Sequence, residues 1–181
     1  ISADAKKKEL VGHFKNTGRT WRRRPLDVLA TDFPSDALGK AIPYGIYDAA
    51  RNQGFVVVGT THETAQFAVT AIRRWWMQVG EKAYPHSTHL LIQVDAGGAN
   101  SSRSWLWKLA LQEFADEFRL TITVTHYPTS ASKWNLIEHC LFNFITLNWA
   151  GQPLISYETV LKFMRTTTTQ SGLHCLAYLD K

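Results

Sequence analysis

The sequence predicts an α/β fold in which helices cover both faces of a mixed β-sheet. Three observations predict it: a pair of apolar strands joined by a turn, an alternation of helix-like and strand-like segments after that pair, and a core-forming composition. The chain has 181 residues, of which 45% are hydrophobic and seven are tryptophan. A chain of this size and composition can bury the core of one domain. We therefore expect residues 1–181 to form a single domain without an internal linker.

The first three strands are predicted before residue 60. Residues 1–11 are typical of a strand interrupted by charged side chains, and residues 12–36 of an irregular basic connection. Residues 42–48 and 55–59 are apolar runs that flank a turn. Gly54 in that turn is available for a positive φ, which favours a hairpin.

One helix and one buried strand are predicted next. Thr60 and Glu63 match a capping box, with the threonine at the N-cap and the glutamate three residues later. Gly80 is typical of a helix end. Residues 90–95 form a compact apolar run that ends in aspartate, which indicates a buried central strand. The inner face of the helix is predicted from apolar residues at helical spacing, namely Ala65, Ala68, Val69, Ile72, Trp75, Trp76 and Val79.

A helix, a strand and another helix follow. Ser101 or Ser102 can cap the first of these helices, and residues 120–124 alternate apolar side chains with threonine, as an edge strand does. The third helix of the chain is predicted at residues 133–148. The buried positions of these two helices are predicted to be Trp107, Ala110, Leu111, Phe114 and Phe118, and then Trp134, Ile137, Leu141 and Ile145.

A short helix near residues 157–164 and a strand near residues 173–179 complete the chain. The resulting order is strand, long connection, hairpin, and then helices that alternate with strands. Three strands that can pair antiparallel, followed by such an alternation, specify a mixed sheet that is covered on both faces. This is the element order of a ribonuclease-H-like domain.

Several classes of protein are disfavoured by the composition. No apolar run approaches the roughly 18 residues of a membrane span, so we expect a soluble protein without a membrane partner. The N-terminus lacks the order of regions of a signal peptide, and without an initiator methionine we expect a processed or truncated product. Cys140 and Cys175 are too few for a disulfide framework and lack metal-ligand spacing, so we expect free thiols in a reducing cytosol.

Positive charge is concentrated at the start of the chain. The net charge is +5, yet residues 1–24 carry eight basic and two acidic groups, whereas the rest of the chain carries 12 basic and 13 acidic groups. Such a block is typical of a polyanion-binding surface, and a solvated basic arm is the alternative. Trp21 lies within the block and is the best candidate for stacking on a base. The basic residues are Lys6, Lys7, Lys8, Lys15, Arg19, Arg22, Arg23 and Arg24.

Three acidic residues on separate elements predict a metal site. Asp4 lies in the first strand, Asp95 ends the buried central strand, and Glu138 lies in the third helix with Asn135 on the same face. Adjacent strands are about 4.8 Å apart, so the two aspartates can lie side by side. Carboxylate oxygens suit Mg²⁺. Two such ions about 3.5–4 Å apart can activate the attacking oxygen and stabilise the leaving oxygen of a phosphodiester.

Other interpretations are open at this point. Asp48 competes with the first aspartate for its metal position, although it lies near the far end of a hairpin. Gly97-Gly98 would suit a nucleotide-binding module, but no G-x-G-x-x-G is present and the acid precedes the glycines. His126 and His139 flank the loop before the third acid, where they would contact phosphate or serve as structural histidines.

Four segments carry a resemblance to a known family. They are DAKKKELVG at 4–12, YGIYD at 44–48 with RNQG at 51–54, DAGGANSSR at 95–103 and SKWNLIEH at 132–139. In these segments the chain closely resembles bacterial insertion-sequence transposases of the Rhodopirellula-type DDE family (the ISAzo type), which is distantly akin to mariner-like enzymes. The resemblance covers essentially the whole chain. It departs from the family motif at Ala5 and Ala96, where threonine and glycine are usual, and neither change removes a ligand.

The resemblance implies a ribonuclease-H-like fold, two bound Mg²⁺ or Mn²⁺ ions, and DNA cleavage with strand transfer. The triad carried over from the motifs is Asp4, Asp95 and Glu138, and the last two are 43 positions apart (138 − 95). Lys133 and Asn135 join the basic residues as predicted DNA contacts.

The resemblance also has implications for partners and setting. It implies transposon ends and target DNA as partners, a homodimer on DNA as one assembly, and a bacterial, cytoplasmic and nucleoid-associated protein. The family has an N-terminal DNA-binding region that this chain is expected to lack. A catalytically inactive DNA-binding remnant of a transposase is therefore the alternative function.

Overall fold

The computed structural model describes residues 1–128 and 131–180, and its described strands form one sheet. The strands are β1 (Ser2–Ala5), β2 (Glu9–Val11), β3 (Gly39–Asp48), β4 (Gln53–Gly59), β5 (His89–Val94), β6 (Thr121–His126) and β7 (His174–Leu179). Their order across the sheet is β6-β5-β1-β3-β4-β7, and β2 also pairs with β3. The predicted strand at 120–124 is confirmed as an edge strand.

The strand directions make the sheet mixed. β3 lies between β1 and β4 and runs antiparallel to both, whereas β5 is parallel to β1 and β6 is parallel to β5. β7 adds a parallel strand at the other edge, beside β4. β2 continues along β3 where β1 stops, and between them the Lys6 amide donates to the Pro43 carbonyl at 2.8 Å. The strand predicted at residues 1–11 with a charged interruption is therefore two strands, β1 and β2, that pair with successive parts of β3.

The helical segments alternate with the later strands. The α-helices are α1 (Ala65–Trp75), α2 (Glu81–Ala83), α3 (Trp105–Phe118), α4 (Asn143–Asn148) and α5 (Tyr157–Arg165). Two π-helical turns, Trp76–Gly80 and Glu138–Phe142, precede α2 and α4. Short 3-10 helices occur at Pro34–Asp36, Gly98–Asn100 and Ser132–Trp134.

Two apolar cores lie on opposite faces of the sheet. Successive side chains of a strand point to opposite faces, and β4 divides in this way. Phe55 and Val57 lie in the core beneath α1 and α3, whereas Val56 and Val58 lie in the core beneath helical residues 137–164. The mixed α/β sheet with helices on both faces is confirmed.

The predicted helix caps were wrong. Thr64 caps α1, and its hydroxyl accepts the amide three residues later at 3.1 Å. Ser104 caps α3 in the same way at 3.3 Å. Each helix begins directly after its cap, so the capping box at Thr60 and the caps at Ser101 or Ser102 lie in the preceding connections.

Gly80 was predicted to end a helix and Gly54 to provide the positive φ of the hairpin, and both predictions were wrong. The chain stays helical beyond Gly80 to Ala83, and a Cβ on Gly80 would lie 2.6 Å from the Trp76 ring. Gly54 lies inside β4, and the positive φ of the hairpin, 49°, belongs to Asn52. Asparagine tolerates that conformation better than most residues.

The helix predicted at residues 133–148 begins later than expected. After the 3-10 turn at Ser132–Trp134, Asn135 lies outside any helix, and helical backbone starts at Leu136. Trp134 precedes the helix and is 66% exposed, so its predicted burial was wrong. The other three predicted positions are buried.

Two expectations from composition concern membranes and cysteines. In the part of the chain that the structure describes, no helix is long and apolar enough to cross a membrane. Cys140 and Cys175 are free thiols, as predicted, with Cys175 buried and Cys140 half-buried.

Candidate functional site

The first two acids are brought together by the pairing of β1 with β5. These parallel neighbours align Ser2 with Gln93, so the same register continued by two residues puts Asp4 beside Asp95. Ala3 points into the core beneath α1 and α3. Asp4 therefore points to the opposite face of the sheet.

Glu138 reaches the same place on a helical segment that packs unusually close to the sheet. A Cβ on Gly45 would lie 2.5 Å from the Phe142 ring, and one on Gly54 would overlap the side chain of Leu141. Gly45 is paired with the first aspartate across β1 and β3. The absence of a side chain at Gly45 and Gly54 thus lets the helical segment that carries Glu138 pack directly beside that acid. Glu138 also begins a π-helical turn, a feature frequent at functional sites.

The three acids line one open pocket of about 390 Å³, which we call the acidic pocket. Asn135 and Tyr127 line it as well. Asp4 is only 8% exposed, whereas Asp95 and Glu138 are half-buried. The pocket therefore gathers the three predicted carboxylates at the end of β5.

Burial and mutual repulsion raise the pKa values of these acids. The pKa of Asp4 rises to about 7 because its side chain is buried, and the charges of Asp95 and Glu138 add to the rise. Hydrogen bonds to its oxygens oppose it. Burial also raises the pKa of Glu138, although nearby cationic groups oppose that rise. The pocket thus concentrates negative charge that lacks full compensation.

The donor set of the acidic pocket suits a hard divalent cation. The acids offer carboxylate oxygens, which Mg²⁺ and Mn²⁺ prefer, and a cation among them would relieve the repulsion that raises the Asp4 pKa. Among the described residues, no three such side chains already stand close enough to hold one ion. The residues therefore fit Mg²⁺ or Mn²⁺ in their chemistry, and their side chains would have to converge on it.

Asn135 lies inside the protein, between β1 and the helical segment that carries the third acid. It is 3% exposed. Its Nδ2 donates to Asp4 Oδ2 at 2.7 Å, and its Oδ1 accepts from Ser2 Oγ at 3.2 Å. The DNA contact predicted for Asn135 stays a prediction, and in the structure its amide turns inward to the first acid.

A second buried asparagine, whose role was not predicted from the sequence, bonds the second acid. Asn100 Nδ2 donates to Asp95 Oδ1 at 3.3 Å, and Asn100 Oδ1 accepts from the Tyr44 hydroxyl at 2.7 Å. The Asn100 carbonyl lies 2.9 Å from His126 Nε2, so that histidine has a partner within the protein. The one signal in the sequence was the position of Asn100, five residues after the aspartate in a glycine-rich turn.

Neither alternative site replaces the three acids, although Gly97 itself lines the acidic pocket. Asp48 ends β3, three residues beyond the position paired with the first acid, and accepts hydrogen bonds from the Ala50 and Arg51 amides and the Tyr84 hydroxyl. It is therefore a turn residue. Gly97-Gly98 lead into a three-residue 3-10 helix rather than directly into α3.

Two of the three lysines after the first strand are paired within the protein. Lys6 is 8% exposed, and its Nζ lies 3.8 Å from Glu9 and 5.0 Å from the centroid of the Trp149 ring. Burial lowers the pKa of Lys6. Lys8 is half exposed and pairs with Glu63 at 3.3 Å. Lys6 is therefore buried, unlike its neighbours Lys7 and Lys8, and its predicted DNA contact stays a prediction.

A second groove, of about 530 Å³, adjoins the acidic pocket and shares Glu138 with it. It is lined by the exposed residues Lys7, Lys133 and His139, and by the inner Lys6. We call it the basic groove. It places cationic side chains directly beside the third acid.

Residues 12–38, which we call the basic loop, run over the surface beside the end of α4. Asn16 Nδ2 holds the loop there through the Trp149 and Gln152 carbonyls, at 3.3 and 3.2 Å. Trp21 is fully exposed. The predicted basic residues of the loop are all exposed, namely Lys15, Arg19, Arg22, Arg23 and Arg24. Cations and an aromatic ring thus stand together on a surface that a polyanion can reach.

Comparison with known proteins gives a family and a fold. A family model described as the Rhodopirellula transposase DDE domain matches residues 1–181. No curated protein matches the chain.

Solved structures share the fold at low sequence identity. The chain is similar to a Mos1 transposase paired-end complex with left transposon end, with a TM-score of 0.58 and 14% identity over 90% of this chain and 45% of that one. It is also similar to a pre-cleavage Mos1 transpososome, with a TM-score of 0.58 and 15% identity over 90% and 46% of the two chains. These likenesses confirm the ribonuclease-H-like fold. The chain spans less than half the length of these solved chains.

Proposed function

The chain belongs to the Rhodopirellula transposase DDE domain family, and from this we propose that it catalyses two-metal-ion DNA cleavage and strand transfer during transposition of an insertion sequence. The single observation that supports the chemistry best is the convergence of Asp4, Asp95 and Glu138 on one pocket. The three come from a strand, the end of its neighbour and a helix on one face of the sheet.

The proposed roles follow from where each side chain stands. Mg²⁺ or Mn²⁺ bound in pairs would supply an activated oxygen nucleophile and neutralise charge at the scissile phosphate. Asp4 and Asp95 would hold the ions from adjacent strands, and Glu138 would close the site from the helix. The open side of the acidic pocket leaves a phosphodiester free to approach these oxygens.

DNA is the proposed substrate because cationic surfaces flank the acids. The basic groove would guide the phosphates beside Glu138, and the basic loop would add contacts further along the duplex. Such contacts position DNA without reading its sequence, and Trp21 would stack on an unpaired base. The proposed contact residues are Lys7, Lys8, Lys15, Arg19, Trp21, Arg22, Arg23, Arg24 and Lys133.

A nicking assay tests the proposal. The protein is incubated with supercoiled plasmid in Mn²⁺ or in EDTA, and the open-circular product is measured. We expect nicking in Mn²⁺ that falls at least about 100-fold in Asp95→Asn. Glu113→Gln, which changes an exposed acid on α3 outside the acidic pocket, the basic groove and the basic loop, is the matched control and should keep wild-type activity. Nicking at the wild-type rate in Asp95→Asn would overturn the proposal.

A catalytically inactive DNA-binding remnant is the second candidate. The observation that favours it is the lack of a preassembled three-ligand cluster among the described residues. Binding of DNA and Mn²⁺ without any nicking would support the remnant over the enzyme.

The assembly and its setting are part of the same proposal. Because the chain spans less than half of its solved relatives, we propose that residues 1–181 are one catalytic domain and that a separate N-terminal region binds the element ends. A homodimer on DNA and a nucleoid-associated, cytoplasmic location complete it. Sedimentation of the protein with a short duplex would distinguish one protein copy per DNA from two.

A further inference from the structure

We propose that Asn135 and Asn100 are positioning residues, each of which fixes one of the two aspartate carboxylates through a hydrogen-bond relay that starts at a buried hydroxyl. The first relay runs from Ser2 through Asn135 to Asp4, and the second from Tyr44 through Asn100 to Asp95. The inference rests on the proposed function, since it concerns the orientation of the proposed metal ligands.

The first relay fixes both oxygens of Asp4. Oδ2 accepts from Asn135 at 2.7 Å, and Oδ1 accepts from the Ala5 amide at 2.7 Å. The amide nitrogen of Asn135 faces this carboxylate, which as a metal ligand would only accept hydrogen bonds. The amide oxygen then needs a donor, and Ser2 Oγ supplies one at 3.2 Å. The carboxylate therefore cannot rotate without breaking a bond on each oxygen.

The second relay orients Asp95 in the same way from another strand. The Tyr44 hydroxyl donates to Asn100 Oδ1 at 2.7 Å, which turns Nδ2 toward Asp95 Oδ1 at 3.3 Å. Tyr44 is fully buried, and burial raises its pKa well above the usual value. Its hydroxyl therefore stays protonated and keeps donating.

Burial separates this role from direct contact with DNA. Asn135 and Asn100 are 3% and 2% exposed. Asn135 lines the acidic pocket, but the amide nitrogen and oxygen of each asparagine already bond partners within the protein. Each bridges elements that are distant in the chain: Asn135 joins the start of the Glu138 helix to β1, and Asn100 joins the loop after β5 to β3. The relays thus tie the carboxylates to the rigid sheet.

The hydroxyls of Ser2 and Tyr44, which start the two relays, allow the least disruptive test of the relays. Ser2→Ala and Tyr44→Phe each remove one oxygen that touches no proposed ligand, and leave the asparagine free to rotate. Tyr157→Phe is the matched control, since it removes a hydroxyl that donates to the Lys40 carbonyl at 3.3 Å, remote from the acidic pocket. Asn135→Leu and Asn100→Leu keep the volume and remove the hydrogen bonds.

Mn²⁺ affinity of the full chain, measured without DNA by the electron paramagnetic resonance signal of free Mn²⁺, is the readout. We expect about 10- to 100-fold weaker binding in the two leucine variants and a smaller loss in Ser2→Ala and Tyr44→Phe, as for other residues that orient metal ligands. Tyr157→Phe should bind as the wild type does. If the leucine variants do not fold, the two hydroxyl variants alone decide the outcome.

The possible results separate this inference from the proposed function. Wild-type Mn²⁺ affinity in both hydroxyl variants, together with loss of binding in Asp95→Asn, would overturn the relays and leave the metal site standing. No Mn²⁺ binding by the wild type, or unchanged binding in Asp95→Asn, would overturn the proposed function and the relays with it. A space-filling role for the asparagines predicts unchanged affinity in the leucine variants and is refuted by a loss.

Discussion

Replacing Asp4 by asparagine should stabilise the metal-free protein at alkaline pH. The pKa of Asp4 rises from 3.8 to about 7 on folding, chiefly because the side chain is buried. The folded state therefore binds this proton more tightly than the unfolded state. This tighter proton binding stabilises the folded state fully below pH 3.8, and the stabilisation is lost as the pH rises through 7.

The magnitude follows from the shift. One pKa unit corresponds to about 1.4 kcal/mol, so relative to a neutral side chain the raised pKa of Asp4 lowers the free energy of unfolding by about 4 kcal/mol at pH 8 and about 1.5 kcal/mol at pH 5. Asparagine avoids this cost but places a second amide nitrogen against Asn135 Nδ2, which costs about 1–2 kcal/mol. We expect Asp4→Asn to be about 2–3 kcal/mol more stable than wild type at pH 8 and nearly equal to it at pH 5.

Urea unfolding in EDTA at pH 5 and pH 8, followed by tryptophan fluorescence, measures this difference. Asp36→Asn changes an exposed acid and should give the same stability as wild type at both pH values. A gap between Asp4→Asn and wild type that does not widen with pH would refute the reasoning. So would a wild type that is the more stable protein at pH 8.

Three further outcomes are expected. Gly45→Ala should destabilise the protein by about 1–3 kcal/mol in urea unfolding, because the new methyl group would press on Phe142 and overpack the core; an unchanged midpoint would contradict the close packing. DNA affinity should fall steeply with salt, and neutralising Arg22–Arg24 should reduce the slope of log K against log [salt] by about 2–3; an unchanged slope would remove the basic loop from the interface. Mn²⁺ should raise the melting temperature of wild type but not of Asp95→Asn, and equal shifts would place the ion elsewhere.

The acids could be predicted because strand geometry is local and periodic. The side chains of a strand alternate with a period of two, which fixes the face that each aspartate takes, and the resemblance to the family implied that the two strands are neighbours. The parallel pairing of Ser2 with Gln93 realises this expectation. Apolar residues at helical spacing predicted the helix that carries Glu138, and so placed the third acid on a helix.

The supporting residues could not be predicted, because their partners are distant in the chain. Asn135 looks like a polar helix residue until Ser2 and Asp4, more than 130 positions away, are seen to bond it. Lys6 looks like its exposed neighbours, yet it is buried against Trp149. Charge and local pattern do not reveal which polar side chain turns inward. That depends on tertiary packing.

The π-helical turn at Glu138–Phe142 has a consequence for the spacing of this segment. A turn closed by i→i+5 hydrogen bonds holds one residue more than an α-helical turn, and each residue rotates an α-helix by about 100°. Deleting Leu141 would therefore convert the π-helical turn into a regular α-helical turn. The deletion would rotate either the Glu138 carboxylate or the apolar side of α4 away from its present direction. Insertions and deletions should be tolerated in the surface excursion at 12–38 far better than in these five positions.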